Sequence, residues 1–127
     1  MNDFFKIILL YFFVVVLTGC QKDGNKNIFI TKEIDLGSVA LNDTVSVEVE
    51  IVNPFRSDLI LKNSASSCGC TGLIITDSIL KYNERTIGII KFIPSINGLT
   101  GNVEKAVVLE TNSKQRFHEI IIKASVE

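Results

Sequence analysis

The stretch Thr44-Val45-Ser46-Val47-Glu48-Val49-Glu50-Ile51-Val52-Asn53 alternates cleanly, with Val45, Val47, Val49 and Ile51 on one side and Ser46, Glu48 and Glu50 on the other. Successive side chains of a β-strand point to opposite faces, so this period of two marks a strand that buries one face and wets the other. Asn53-Pro54 closes it with a turn signal. Upstream, residues 28–34 read as an earlier strand that ends at Asp35-Leu36-Gly37. Downstream, residues 59–61 and 73–75 make two short apolar strands, and a less regular stretch runs through Lys81. Residues 86–93 form a longer apolar run broken by Gly88 and Lys91 and ended by Pro94. Residues 103–111 and 117–126 make a final hairpin around Asn112-Ser113-Lys114.

About seven strands separated by Gly, Asn, Asp and Pro, with no helical periodicity after Cys20, predict an all-β chain folded as an antiparallel sandwich of immunoglobulin-like topology. The whole sequence has 127 residues, enough for one domain of this kind. It has 13 Lys and Arg against 14 Asp and Glu, a net charge of −1, so it has no electrostatic footprint for nucleic acid.

The first nineteen residues differ in character. They hold Phe4, Phe5, Tyr11, Phe12 and Phe13, half of the 8 Phe and 2 Tyr in the chain. Residues 7–17 form one apolar run, preceded by Lys6 and followed by Thr18, Gly19 and Cys20. A spanning helix needs about 20 apolar residues and a signal-peptide core about 7 to 15, so the run suits export. Leu17-Thr18-Gly19-Cys20 resembles the lipobox of bacterial lipoproteins. That resemblance implies cleavage before Cys20 and a diacylglyceryl group and an N-acyl chain on Cys20; no other cofactor is expected. Two or more acyl chains hold a protein stably on a bilayer.

The domain organisation expected is therefore a lipoprotein signal peptide over 1–19, a lipidated cysteine with polar tether over 20–27, and the sandwich over 28–127. The seven tether residues from Gln21 to Asn27 reach about 23 Å when extended at about 3.3 Å each. Gln21, in place of an Asp after the cysteine, resembles lipoproteins passed to the outer membrane. Gln21-Lys22-Asp23 also resembles the start of an export signal to the cell surface, which leaves the periplasmic and external faces of that membrane both open.

Acylation of Cys20 leaves Cys68 and Cys70 as an even pair. They sit in Ser66-Ser67-Cys68-Gly69-Cys70-Thr71-Gly72, between two strand candidates, and so belong to a loop at one end of the sandwich. This motif, with Ile34-Asp35-Leu36-Gly37-Ser38-Val39, Leu59-Ile60-Leu61, Gly101 and Thr111-Asn112, resembles a bacterial family of immunoglobulin-like domains of unknown function, the fifteen-seventy-three family. The resemblance covers about residues 34–126. Asn53-Pro54-Phe55 stands where that family usually has Asn-x-Gly, and Tyr82-Asn83-Glu84 where it has Pro-Gly-Glu. The family is similar, more distantly, to sandwich domains that act as binding modules, and it implies no catalytic residue.

Four roles are open to the cysteine pair. A disulfide across Gly69 would be a local lock, with Gly69 tolerating the unusual backbone angles of so small a ring and Ser66, Ser67 and Thr71 supporting the loop. Its chain-entropy contribution is about 1.6 kcal/mol, against about 3 for a fifteen-residue loop, which makes it a weak global staple. Redox cycling is a second role, although the motif lacks the helix N-terminus that usually lowers a thiol pKa. A metal–thiolate site is a third, but two sulfurs are half of a tetrahedral set and the one histidine, His118, lies on the last strand. Bridging to a partner is the fourth.

His118 alternates with Ile120, Ile122, Ala124 and Val126 and reads as a buried strand residue. Asp35, Glu48, Glu50 and Glu84 read as solvated or turn-forming carboxylates, and no metal site is expected. One histidine, with no Gly-rich phosphate loop, gives enzyme function little to stand on. Asp43-Thr44-Val45 and Asp77-Ser78-Ile79 resemble an acceptor sequence for O-glycans, which would fall on Thr44 and Ser78. The expected protein is a membrane-anchored lipoprotein of the cell envelope, a non-catalytic binding or scaffolding module with a protein partner. The alternative is a small thiol-disulfide or metal–thiolate protein.

Overall fold

The computed structural model describes residues 2–16 and 27–127. Helix α1, Asn2–Val16, covers most of the apolar leader. At about 1.5 Å per residue its 15 residues span about 22 Å, short of the roughly 30 Å of a bilayer core. No helix among the described residues is long and apolar enough to cross a membrane. Cys20 and the tether up to residue 26 lie outside the described residues.

From residue 27 onward the chain is a two-sheet sandwich. Its strands are β1 Phe29–Ile30, β2 Glu33–Val39, β3 Val45–Val52, β4 Leu59–Ser66, β5 Thr71–Ile75, β6 Ile79–Leu80, β7 Arg85–Phe92, β8 Gly101–Thr111 and β9 Phe117–Val126. A 3-10 turn, Pro94–Asn97, follows β7. One sheet has the order β1-β3-β7-β5 and the other β2-β9-β8-β4-β6. The alternation that begins at Val45 does what period two dictates: Val49 and Ile51 are buried, while Ser46, Glu48 and Glu50 face water. β7 repeats the pattern, burying Thr86, Gly88, Ile90 and Phe92.

Two features depart from the sequence reading. Residues 28–34 are not one strand. The chain pairs with β3 at Phe29 and Ile30, crosses at Thr31 and Lys32, and enters the other sheet as β2. β2 also runs parallel to β9, so the sandwich is antiparallel except for this one pair. The crossing forces that direction, because β2 arrives at the far sheet without a hairpin to reverse it. The strand segments among the described residues number nine, two more than expected, since β1 and β6, two residues each, are too short to show a period.

The core has two joined parts. The larger is built on Val49, Ile51, Leu59, Leu109, Ile120 and Ile122. The smaller, made of Val39, Cys70, Phe92, Ala124 and Val126, fills one end. That end, the cysteine pole, gathers the β2–β3 turn, residues 67–70, the 3-10 turn and the end of β9. The opposite pole carries residues 27 and 28, the β3–β4 loop, residues 81–84 and the β8–β9 hairpin.

Candidate functional site

At the cysteine pole Cys68 and Cys70 are joined by a disulfide, with Cα atoms 5.2 Å apart. The two sulfurs are unequal. Cys70 is 1% exposed and belongs to the smaller core, whereas Cys68 is half-buried at its margin. Ser66 is the last residue of β4 and Thr71 the first of β5, so the loop proper is only residues 67–70. Ser66 and Thr71 are thus strand residues and not loop residues as expected, because β4 beyond Leu61 is wet on both faces and shows no period.

Backbone and hydroxyl bonds pin this loop on each side. The Ser66 hydroxyl donates to the Cys68 carbonyl at 2.7 Å. Ser67 holds β8 twice, its N–H donating to the Ala106 carbonyl at 2.9 Å and its Oγ accepting the Ala106 N–H at 3.0 Å. The Ile93 N–H donates to the Cys70 carbonyl at 2.7 Å, extending the β5–β7 ladder to the disulfide. Thr71 is buried, and among the described residues its hydroxyl has no hydrogen-bond partner.

Gly69 does not need the conformational freedom expected of it. Its φ lies outside the left-handed region, and a Cβ placed there would meet only Ile96 Cγ2, at 3.8 Å. The turn between the strands brings the two cysteines together without a positive φ at any of residues 67–70.

His118 lies at the other end of the sandwich, paired with Leu109 in the β8–β9 ladder, so the fold does not bring it to the cysteines. It is buried, with Nε2 3.4 Å from Thr111 Oγ1 and 3.3 Å from Ser113 Oγ. Burial holds its pKa below 6.5; a hydrogen bond with the Gln115 backbone opposes this, and the charge of Lys32 adds to it. No cluster of three metal-ligating side chains occurs among the described residues. Asp35 accepts the Gly37 N–H at 2.8 Å and Glu84 the Lys81 N–H at 2.7 Å, while Glu48 and Glu50 lie on an outer sheet face. Thr44 and Ser78 are both exposed, just before β3 and β6.

Asn53, singled out in the sequence only as a turn residue, is fully buried. Its Nδ2 donates to the Ser57 and Leu80 carbonyls, each at 2.9 Å, and its Oδ1 accepts the Phe55 N–H at 2.8 Å. Asn53 N–H also donates to the Glu84 carbonyl and Asn83 N–H to the Asn53 carbonyl. Asn83 has φ 61°, a left-handed conformation that asparagine tolerates better than most residues. Thus both places where the motif departs from the family pattern meet in one corner, at the pole opposite the disulfide.

Residues 28–126 match the family described as Protein of unknown function (DUF1573). The chain belongs to this DUF1573 family. No curated protein matches it. Among solved structures, a Porphyromonas gingivalis W83 protein of unknown function is similar at 17% identity and a TM-score of 0.71, over 77% of this chain and 46% of that one. The ASH/PapD-like domain 7 of human CEP192 is similar at 12% identity and a TM-score of 0.65, over 85% of this chain and 93% of that domain. The Vibrio cholerae VesB protease matches at 11% identity and a TM-score of 0.57, over 77% of this chain and 31% of the protease. The chain thus spans less than half of the Porphyromonas protein and of the protease. At these identities the likeness is one of fold.

Proposed function

We propose that this DUF1573 protein is a non-catalytic binding or scaffolding module of the bacterial cell envelope, held to the outer membrane by an acylated Cys20. The observation that carries the reading is polar: the described chain enters the sandwich at Asn27 and Ile28, at the end opposite the cysteine loop. β7 separates the two ends by its eight residues, about 25 Å at roughly 3.3 Å each. An anchor at Cys20 therefore attaches the sandwich at one pole and leaves the cysteine pole as its free end. The disulfide and its serine bonds then act as a local lock that keeps this outward end in one shape.

The test is photo-crosslinking in native membranes, with the photoreactive residue placed at Ile96 on the outer pole, at Ile74 on the flank, or at Phe117 on the anchor pole; all three side chains are exposed. A discrete protein adduct from Ile96 or Ile74 supports the reading, and no adduct from any position refutes it.

A thiol-disulfide role is the second reading, favoured by the unequal exposure of the two sulfurs. A thiolate reductant would attack the half-buried Cys68 and expel Cys70 as the buried leaving group. A reduction potential of the pair below about −300 mV marks a structural bridge, and one between about −230 and −120 mV marks redox chemistry.

A further inference from the structure

The four sheet edges are unequally protected. β1 and β6 have two residues each. β2 is broken between Asp35 and Ser38, where Gly37 takes φ +66° and gives its N–H to the Asp35 carboxylate. Such short or bulged strands are poor templates for a new partner. β5, Thr71–Ile75, pairs with β7 over its whole length and carries no charge and no bulge. Cys70 and Ile93 share a ladder bond, so by antiparallel alternation Gly72 and Ile74 use their backbone groups toward β7. Thr71, Leu73 and Ile75 turn theirs outward. The Ser64 hydroxyl, donating to the Leu73 carbonyl at 3.1 Å, occupies one of those outward groups.

This edge opens on a groove of about 270 Å³ between β5 and the part of β4 that β6 leaves unpaired. The groove falls below the roughly 300–1,000 Å³ of small-molecule sites and suits one or two side chains. Leu61, Leu73, Ile75 and Leu109 line it together with Lys62, Asn63, Ser64 and Ser78. Lys91 faces out opposite Gly72 in register, where the absent side chain leaves the surface open. Among the described residues Lys91 forms no ion pair.

We propose that the β5 edge is the partner site, and that its occupant is an extended segment of another protein, pairing with Thr71, Leu73 and Ile75 while apolar side chains enter the groove and acidic ones, on the opposite face, meet Lys91. This rests on the binding-module reading. A second copy of β5 is a poor occupant, because Thr71-Gly72-Leu73-Ile74-Ile75 offers no acid and would bring the lysines of two copies together. The Ser64 bond across the groove is replaced when the strand enters.

The test uses the detergent-solubilised full chain and a labelled peptide alternating glutamate with valine and leucine. Saturable binding is expected, with the Leu73 amide becoming protected from hydrogen exchange. Lys91→Glu, at an exposed position, is expected to weaken binding about fivefold and to favour the lysine-substituted peptide instead. Affinity indifferent to the reversal, protection at another edge, or self-association through β5 overturns the proposal. If the Lys91→Glu variant keeps the native crosslinked adduct, the binding reading survives and this edge is wrong. If the wild type gives no adduct at all, the reading itself has failed.

Discussion

Reduction of the Cys68–Cys70 disulfide removes a covalent ring of three residues and nothing else, which makes its cost calculable. The chain-entropy relation gives about 1.6 kcal/mol at 25 °C for so small a loop. At roughly 4 to 8 °C per kcal/mol for a domain of this size, the midpoint of thermal unfolding should fall by about 6 to 13 °C in a phosphine reductant. The remaining contacts say how the loss is distributed. Ser67 keeps both bonds to Ala106, and Ile93 keeps its bond to the Cys70 carbonyl, so β4 and β5 stay attached to their neighbours. Urea unfolding of oxidised and reduced protein, read by far-UV dichroism, should show parallel transitions with the same slope and a shifted midpoint. A loss above about 4 kcal/mol, or unfolding on reduction alone, would refute the local-lock account and make the bridge a condition of the fold.

Gly69→Ala should leave stability within about 0.5 kcal/mol, because the added methyl makes only an ordinary contact with Ile96 Cγ2 at 3.8 Å and φ is not left-handed, whereas Gly88→Ala should cost about 1 to 3 kcal/mol, its Cβ lying 2.9 Å from Leu73 Cδ1 and 3.2 Å from Val49 Cγ2; thermal melts of the pair compare them directly. Asn53→Ala strips partners from the Leu80 and Ser57 carbonyls and the Phe55 amide, and should cost about 3 kcal/mol by urea titration, more than the disulfide. His118 is held below its ordinary pKa, so the unfolded chain takes the proton first: the contribution is whole above pH 6.5 and is lost as pH falls below it. In His118→Leu that part of the pH dependence should vanish from the urea midpoint.

The strands with one wet and one dry face were legible because burial writes itself as period two; β3 and β9 run almost where the alternation puts them. β1 and β6 were not, since two residues carry no period, and the crossing at Thr31 and Lys32 leaves no local mark. The cysteine loop was legible as a motif but its boundaries were blurred, because the later half of β4 is exposed on both faces. Gly69 drew attention for a conformation it does not adopt, while Asn83 takes one that glycine usually supplies. The buried amide of Asn53 was invisible: its three side-chain partners come from the following loop and from β6, and sequence distance hides the last of them.

The most direct test of the account is the intact mass of the protein extracted from native membranes. A species comprising residues 20–127 with a diacylglyceryl group and an amide-linked acyl chain on Cys20 is the predicted result. A chain that keeps Met1, carries no lipid and partitions into the aqueous phase would contradict it.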